Sequence, residues 1–126
     1  METPGQDTPE LEELTTQEVG DYLRDILASF PSCGPVTLAA GTTRIAGIIR
    51  QRECDLEWAR TSCLVAEAYR RVLPYSHVFR IEGLDMWRIY RDHAVAAYRD
   101  AQRVFLALGD ELGAARCDAA LRDPRW

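Results

Sequence analysis

The chain contains no lysine, so all fifteen of its basic residues are arginine. The simplest cause of this bias is a GC-rich genome, because the arginines alternate with apolar residues as on an ordinary solvated helix face. A selective reason, such as the avoidance of lysine modification, is the alternative. The bias therefore says more about codon usage than about function.

Long apolar runs are also missing, because no window approaches the roughly eighteen apolar residues of a membrane helix. The acidic, proline-containing N-terminus lacks the basic flank and apolar core of a secretory signal. We therefore expect a cytoplasmic protein without a membrane partner. The four cysteines lack CxxC spacing, which favours reduced thiols over a disulfide framework at Cys33, Cys54, Cys63 and Cys117.

Motifs of catalysis and cofactor binding are scarce. The two histidines, His77 and His93, belong to no HExxH motif, and no carboxylate has a context that predicts a raised pKa. Gly41 and Gly47 precede no GK[ST] sequence, so close helix packing explains them better than phosphate binding. We expect no enzyme activity, cofactor or metal; a nucleophile pair of Cys63 with His93 is the weaker, enzymatic alternative.

Acidic charge is concentrated at the N-terminus, where residues 1–21 hold seven acidic groups and no basic one. Subtracting these seven from the twenty acids leaves thirteen acids against fifteen arginines in the rest of the chain. Residues 1–14, with few apolar groups, are predicted to be a disordered acidic tail, and residues 15–126 a single domain. An acidic arm that covers an arginine patch or engages a basic partner is the functional alternative.

Arginines on a predicted helix raise nucleic-acid binding as another alternative. Arg88 and Arg91, followed by Arg99 and Arg103, fall at spacings that form a basic strip on one helix. Aspartates interleave with this strip, and the net charge of −5 opposes the attraction of phosphate. We therefore expect no nucleic-acid partner.

The first predicted helix begins at a capping box. Thr15 and Glu18 have the spacing of that motif, which predicts a helix from Thr15 to about Ser29. Apolar residues recur there at intervals of three and four, at Val19, Tyr22, Leu23, Ile26, Leu27 and Phe30. The SCGP stretch at 32–35 predicts a turn before a second helical region that begins near Val36 or Thr37.

The same spacing continues along the rest of the chain. It predicts one long helix over 45–73, ended by Pro74, while residues 75–82 are either extended or a short helix. A third long helix over 84–108 is expected to bury Trp87, Tyr90, Ala94, Ala97, Ala101, Val104 and Leu108. A shorter helix covers 110–121. The predicted fold class is all-α, a small antiparallel bundle of four or five helices.

The C-terminal hairpin carries a family resemblance. Ala94, Tyr98 and Ala101, followed by LGDELGAA at 108–115, are similar to the second helix and following turn of tetratricopeptide repeats, particularly those of large bacterial regulators. The resemblance implies a helical hairpin over about 94–121, with Gly113 and Ala115 opening the next helix. It does not extend upstream, because residues 75–88 lack the small and aromatic spacing of that repeat. A single repeat cannot bury its own apolar face, so the hairpin must pack on the rest of the domain.

The same residues resemble a second family. Phe105, Leu108 and the GDEL sequence at 109–112 are similar to the short helix by which apoptosis regulators bind each other's grooves. That resemblance implies a continuous helix through Gly109, with Phe105, Leu108 and Leu112 as anchors. The alternative places these side chains in the core of the domain.

We interpret the chain as a non-catalytic protein-protein interaction module: an adaptor, accessory subunit or sensor domain that docks a partner protein on an exposed helical face. A homo-oligomer is a further form of this hypothesis. Candidate partner-binding residues are Trp58, Tyr75, Phe79 and Arg80, because the connection at Pro74 and the helix ends can leave them accessible. Aromatic and arginine side chains tend to carry interface energy.

Overall fold

Five α-helices make up the protein in the computed structural model, which describes residues 10–126; no strand occurs in that range. The helices are α1 (Thr16–Ser29), α2 (Pro35–Ile49), α3 (Leu56–Val72), α4 (Met86–Ala107) and α5 (Glu111–Leu121). Helix α3 is central, since it packs against α1, α2 and α4, while α5 packs on α4. The predicted all-α bundle is confirmed.

The folded part of the chain begins before the predicted start. Residues 1–9 of the predicted tail lie outside the described part of the chain. Residues Leu11–Glu13 form a turn of 3-10 helix, and the Leu11 side chain is buried. The prediction of disorder up to residue 14 is therefore wrong at its C-terminal end, because one apolar side chain among the acids packs on the domain.

Helix α1 forms as its sequence predicts. The hydroxyl of Thr15 accepts a hydrogen bond from the backbone N–H of Glu18, and the Glu18 carboxylate accepts one from the N–H of Thr15. These hydrogen bonds lower the pKa of Glu18. Val19, Leu23 and Leu27 are buried, whereas Tyr22, which lies at the edge of the apolar stripe, is exposed.

The single long helix predicted over 45–73 is wrong, because the chain leaves the helix at 50–55. Asp55 begins α3, with its carboxylate accepting a hydrogen bond from the N–H of Trp58 at 2.8 Å. The indole Nε1 of Trp58 donates to the carbonyl oxygen of Ile49, at 2.7 Å, which ties the start of α3 to the end of α2. Ile49 and Leu56 are seven residues apart, so the apolar period continues across the break and conceals it.

The connection between α3 and α4 is helical in its first half. Residues Leu73–Val78 form a 3-10 helix, and a turn follows in which the N–H of Leu84 donates to the carbonyl oxygen of Ile81 at 3.1 Å. Gly83 has a φ of +80° within this turn. Of the two alternatives for 75–82, a short helix followed by a turn is therefore correct.

The chain reverses between α4 and α5 at Gly109, whose φ is +78°. The Asp110 carboxylate then caps α5 by accepting a hydrogen bond from the N–H of Gly113 at 2.9 Å. Gly113 lies against the ring of Phe105, which a Cβ at position 113 would meet at 2.6 Å. The predicted turn is confirmed, and the continuous helix that a groove-binding motif requires does not form.

Two residues predicted to point inward on α4 are exposed instead. Trp87 is 39% and Leu108 50% exposed, while Ala94, Ala101 and Val104 between them are buried. Helix α4 has 22 residues and α3 has 17, so the ends of the apolar stripe have less helix surface opposite them. The apolar periodicity therefore predicts the buried face of α4 correctly but overestimates how far the buried face extends along the helix.

Candidate functional site

The structure distributes the four predicted contact residues over different environments. Trp58 is 8% exposed and holds α2 to α3, so its predicted accessibility is wrong. Tyr75 is half-buried, with its ring 5.4 Å from that of Phe30 in an edge-on contact. Phe79 is also half-buried and makes an edge-on contact with Tyr90 at 5.1 Å. Of the four, only Arg80 is exposed.

Large apolar side chains are exposed from the end of the 3-10 helix to the first turn of α4. Val78 is 47%, Ile81 52%, Leu84 52% and Trp87 39% exposed, all within ten consecutive residues. Because the turn is closed by the hydrogen bond from Leu84 to Ile81, these two side chains are carried by one short, ordered segment. We call Val78, Arg80, Ile81, Leu84 and Trp87 the docking surface.

Two half-buried aromatic rings fix this segment to the helices. Tyr75 contacts the end of α1 through Phe30, and Phe79 contacts α4 through Tyr90. Tyr90 in turn stacks on the buried Tyr69 of α3, with ring centroids 5.6 Å apart. These packed rings therefore fix the segment that carries the docking surface. A segment that is already ordered loses less conformational entropy when a partner binds.

A groove of about 600 Å³ adjoins the docking surface at Trp87. We call it the Trp87 groove. Its far side is the C-terminal segment, where the Arg70 guanidinium lies 4.6 Å from the centre of the Trp126 ring. Arg70 and Arg125 both form ion pairs with Asp123. These contacts, mainly those from Arg125, lower the pKa of Asp123, and they leave both guanidinium groups with a partner inside the chain.

Arg80 differs from these arginines. No carboxylate lies within 4.0 Å of its guanidinium among residues 10–126, and the same holds for Arg88 in the first turn of α4. Farther along the predicted basic strip, Arg91 pairs with Asp92 and Arg103 with Asp100. The strip is therefore half neutralised by its own helix, which weakens the nucleic-acid alternative.

Acidic residues before α1 contact one arginine of α2 and one of the connection that follows it. The Arg44 guanidinium lies 3.7 Å from the Glu10 carboxylate and 3.5 Å from that of Glu12. Arg52 donates to the backbone carbonyl of Glu12 at 2.9 Å. This part of the acidic segment thus lies against basic residues of its own domain, as the acidic-arm alternative requires.

The structure does not bring Cys63 and His93 together. The Cys63 sulfur lies 3.2 Å from that of Cys117 on α5, and both thiols are free. Burial, together with the hydrogen bond that the thiol donates to Cys117, raises the pKa of Cys63, so the nucleophilic thiolate is disfavoured. His93 instead packs on the ring of Tyr69, with centroids 5.2 Å apart, in a different groove. His77 is exposed on the 3-10 helix.

No family model, curated protein or solved structure matches this chain. None of the helices in residues 10–126 has the length and apolar character needed to cross a membrane.

The sequence pattern indicates this segment and, of its accessible residues, Arg80 alone. Pro74 and the neighbouring aromatics indicated a connection with available side chains, and two of those aromatics are its internal supports. The missed residues are Val78, Ile81, Leu84 and Trp87. The local signal for them is the run of apolar residues around Gly83, which a turn cannot bury.

Proposed function

We propose that this chain is a non-catalytic protein-protein interaction module that binds a partner protein through the docking surface. The observation that carries this proposal is the exposure of Val78, Ile81, Leu84 and Trp87, each between 39% and 52%, on one ordered segment. Large exposed apolar patches often mark interaction sites, and these four side chains lie within ten residues of one another along the chain. Trp87 and Arg80 are of the residue types that most often carry interface energy.

Magnitudes indicate what else the partner must contact. Burying the exposed half of one such side chain contributes about 1 kcal/mol, so four contribute about 4 kcal/mol. Because association also costs several kcal/mol of translational and rotational freedom, these contacts alone give a dissociation constant weaker than about 1 mM. The partner therefore also has to engage the Arg80 guanidinium with a carboxylate, or to insert a side chain into the Trp87 groove.

The C-terminal hairpin supports the same proposal. Its buried Ala94, Tyr98 and Ala101, followed by the turn at Gly109, agree with the resemblance to tetratricopeptide repeats, a scaffold of stacked helices. We propose that the hairpin has this supporting role. The groove-binding alternative loses its basis, since Phe105 is only 4% exposed and the helix ends before Gly109. Four free thiols are compatible with the cytoplasmic setting that we propose for the protein.

The test is affinity capture from the native host with a matched pair of variants. Ile81→Glu with Leu84→Glu places two charges on the docking surface, and Leu106→Glu with Leu112→Glu places two on equally exposed leucines around the α4–α5 turn. We expect both variants to unfold at nearly the wild-type temperature, because all four positions are exposed.

The captured partner should be lost from the first variant, with at least a tenfold weaker affinity once it is purified, and retained by the second. Buried charges without a partner cost several kcal/mol, which is more than the apolar contacts supply. Equal capture by the wild type and the first variant would remove the docking surface from the proposal.

A further inference from the structure

A second groove lies between α2 and α4, over the surface of α3. Its volume is about 400 Å³. That volume is within the range of small-molecule sites, which span roughly 300 to 1,000 Å³. Its floor and walls are largely apolar, formed by Ala46, Ile49, Trp58, Val65, Ala96 and Ala97.

Gly47 stands in the α2 wall of this groove, and no contact within residues 10–126 accounts for it. A Cβ added at Gly47 would meet no heavy atom within 4 Å. At Gly20 and Gly113 a Cβ would come within 3.0 Å of Thr61 and of the Phe105 ring, so internal packing accounts for those two glycines. Glycine inside a helix costs about 1 kcal/mol relative to alanine. At Gly47 the backbone of α2 is therefore uncovered, and a group outside the chain can approach it closely.

Polar groups converge at one end of the groove. The hydroxyl groups of Thr43 and Tyr69 are hydrogen-bonded at 2.9 Å, which uses one of their two protons and leaves the other for a ligand. Burial raises the pKa of Tyr69, while the hydrogen bond with Thr43 and the positive charge of Arg50 lower it. The Arg50 guanidinium is therefore close enough to the Tyr69 phenol to affect its charge. No carboxylate lies within 4.0 Å of the Arg50 guanidinium in the described part of the chain.

Other charges in the groove are accounted for. Asp100, on the α4 wall, is paired with Arg103 at 3.2 Å. The hydroxyl of Ser62 donates to the carbonyl oxygen of Ala97 at 2.9 Å and is therefore occupied. The remaining free groups are one guanidinium and one hydroxyl proton, beside the imidazole of His93. They match the single negative charge of a carboxylate better than a phosphate monoester, whose charge is nearer −2.

We propose that this groove binds a small organic carboxylate, with the charged group held by Arg50 and the hydroxyls of Thr43 and Tyr69. The apolar body of the ligand lies along Val65 and Ala97, against the bare backbone at Gly47. The combination of apolar walls with a few convergent polar groups is typical of ligand sites of this size. This site is separate from the docking surface and does not depend on it.

The test is a titration of the full chain with phenylacetate, followed by NMR. The indole signal of Trp58 is identified as the one absent from Trp58→Phe. We expect phenylacetate to shift this signal and those of the His93 ring, with a dissociation constant below about 1 mM. Methyl phenylacetate, which has no charge, and inorganic phosphate, which has no apolar body, should each bind at least tenfold more weakly.

Two variants with matched controls locate the site. Arg50→Gln should weaken phenylacetate binding by about tenfold or more, because a hydrogen bond to a charged group is lost, whereas Arg99→Gln on the outer face of α4 should not. Gly47→Leu fills the groove and should abolish binding, while Ala40→Leu on an exposed position of α2 should not. Both variants should unfold near the wild-type temperature.

Three results would overturn the proposal. The first is the absence of any shift of the Trp58 and His93 signals at millimolar phenylacetate. The second is equal binding of the ester or of phosphate, which would show that the groove does not recognise a carboxylate specifically. The third is unchanged binding in folded Gly47→Leu or Arg50→Gln, which would place the ligand elsewhere.

Discussion

The crossing of α4 and α5 is closed, whereas the groove between α2 and α4 is open, although both are lined by small residues. At the crossing, Gly113 lies against the Phe105 ring, so the absence of a side chain lets the two helices approach. At the groove, Gly47 has no neighbour within 4 Å of the place where a Cβ would lie. The fold therefore requires a glycine at position 113 and does not require one at position 47.

The closed crossing gives the larger of the expected effects on stability. Gly113→Ala should lower the free energy of unfolding by about 2 kcal/mol, because a Cβ would lie 2.6 Å from the Phe105 ring and a ring in the core cannot move aside freely. Urea unfolding measures the change. In the Phe105→Leu background the added cost of Gly113→Ala should be smaller, as expected for residues in contact. Strictly additive effects would mean that the contact is not the cause.

Trp58 tests whether the floor of the open groove is structural. Trp58→Phe removes the hydrogen bond to the Ile49 carbonyl and should cost about 1 kcal/mol in urea unfolding. Capture of the partner protein should not change, because Trp58 is only 8% exposed and lies outside the docking surface. If the partner were lost while the stability stayed the same, Trp58 would be a contact residue after all.

Local signals in the sequence predicted the ends of several helices. Two of these signals are the capping pair Thr15 and Glu18 and the turn formed by Gly109 and Asp110. Their hydrogen bonds join residues only a few positions apart, so they can be identified from the sequence without knowledge of the fold. The break at 50–55 was missed, since the seven-residue step from Ile49 to Leu56 keeps the helical period. Asp55 was the available sign of a new helix start.

Accessible surfaces were harder to predict, because they depend on which elements meet. Trp87 lies in the first turn of α4 and Leu108 directly after its last residue, and both are exposed although they continue the apolar stripe. The groove beside Gly47 requires α2 and α4 to stand on either side of α3, an arrangement that no local pattern encodes. A glycine inside a predicted helix was visible, but close helix packing was the natural interpretation.

The most direct test of the contrast between the two regions is the unfolding free energy of Gly47→Ala, measured in urea without added ligand. An alanine there meets no atom and removes the cost of a glycine inside a helix, so we expect a stabilisation of about 0.5 to 1 kcal/mol. A destabilised variant would contradict the account, because it would show that packing within the chain already requires this glycine.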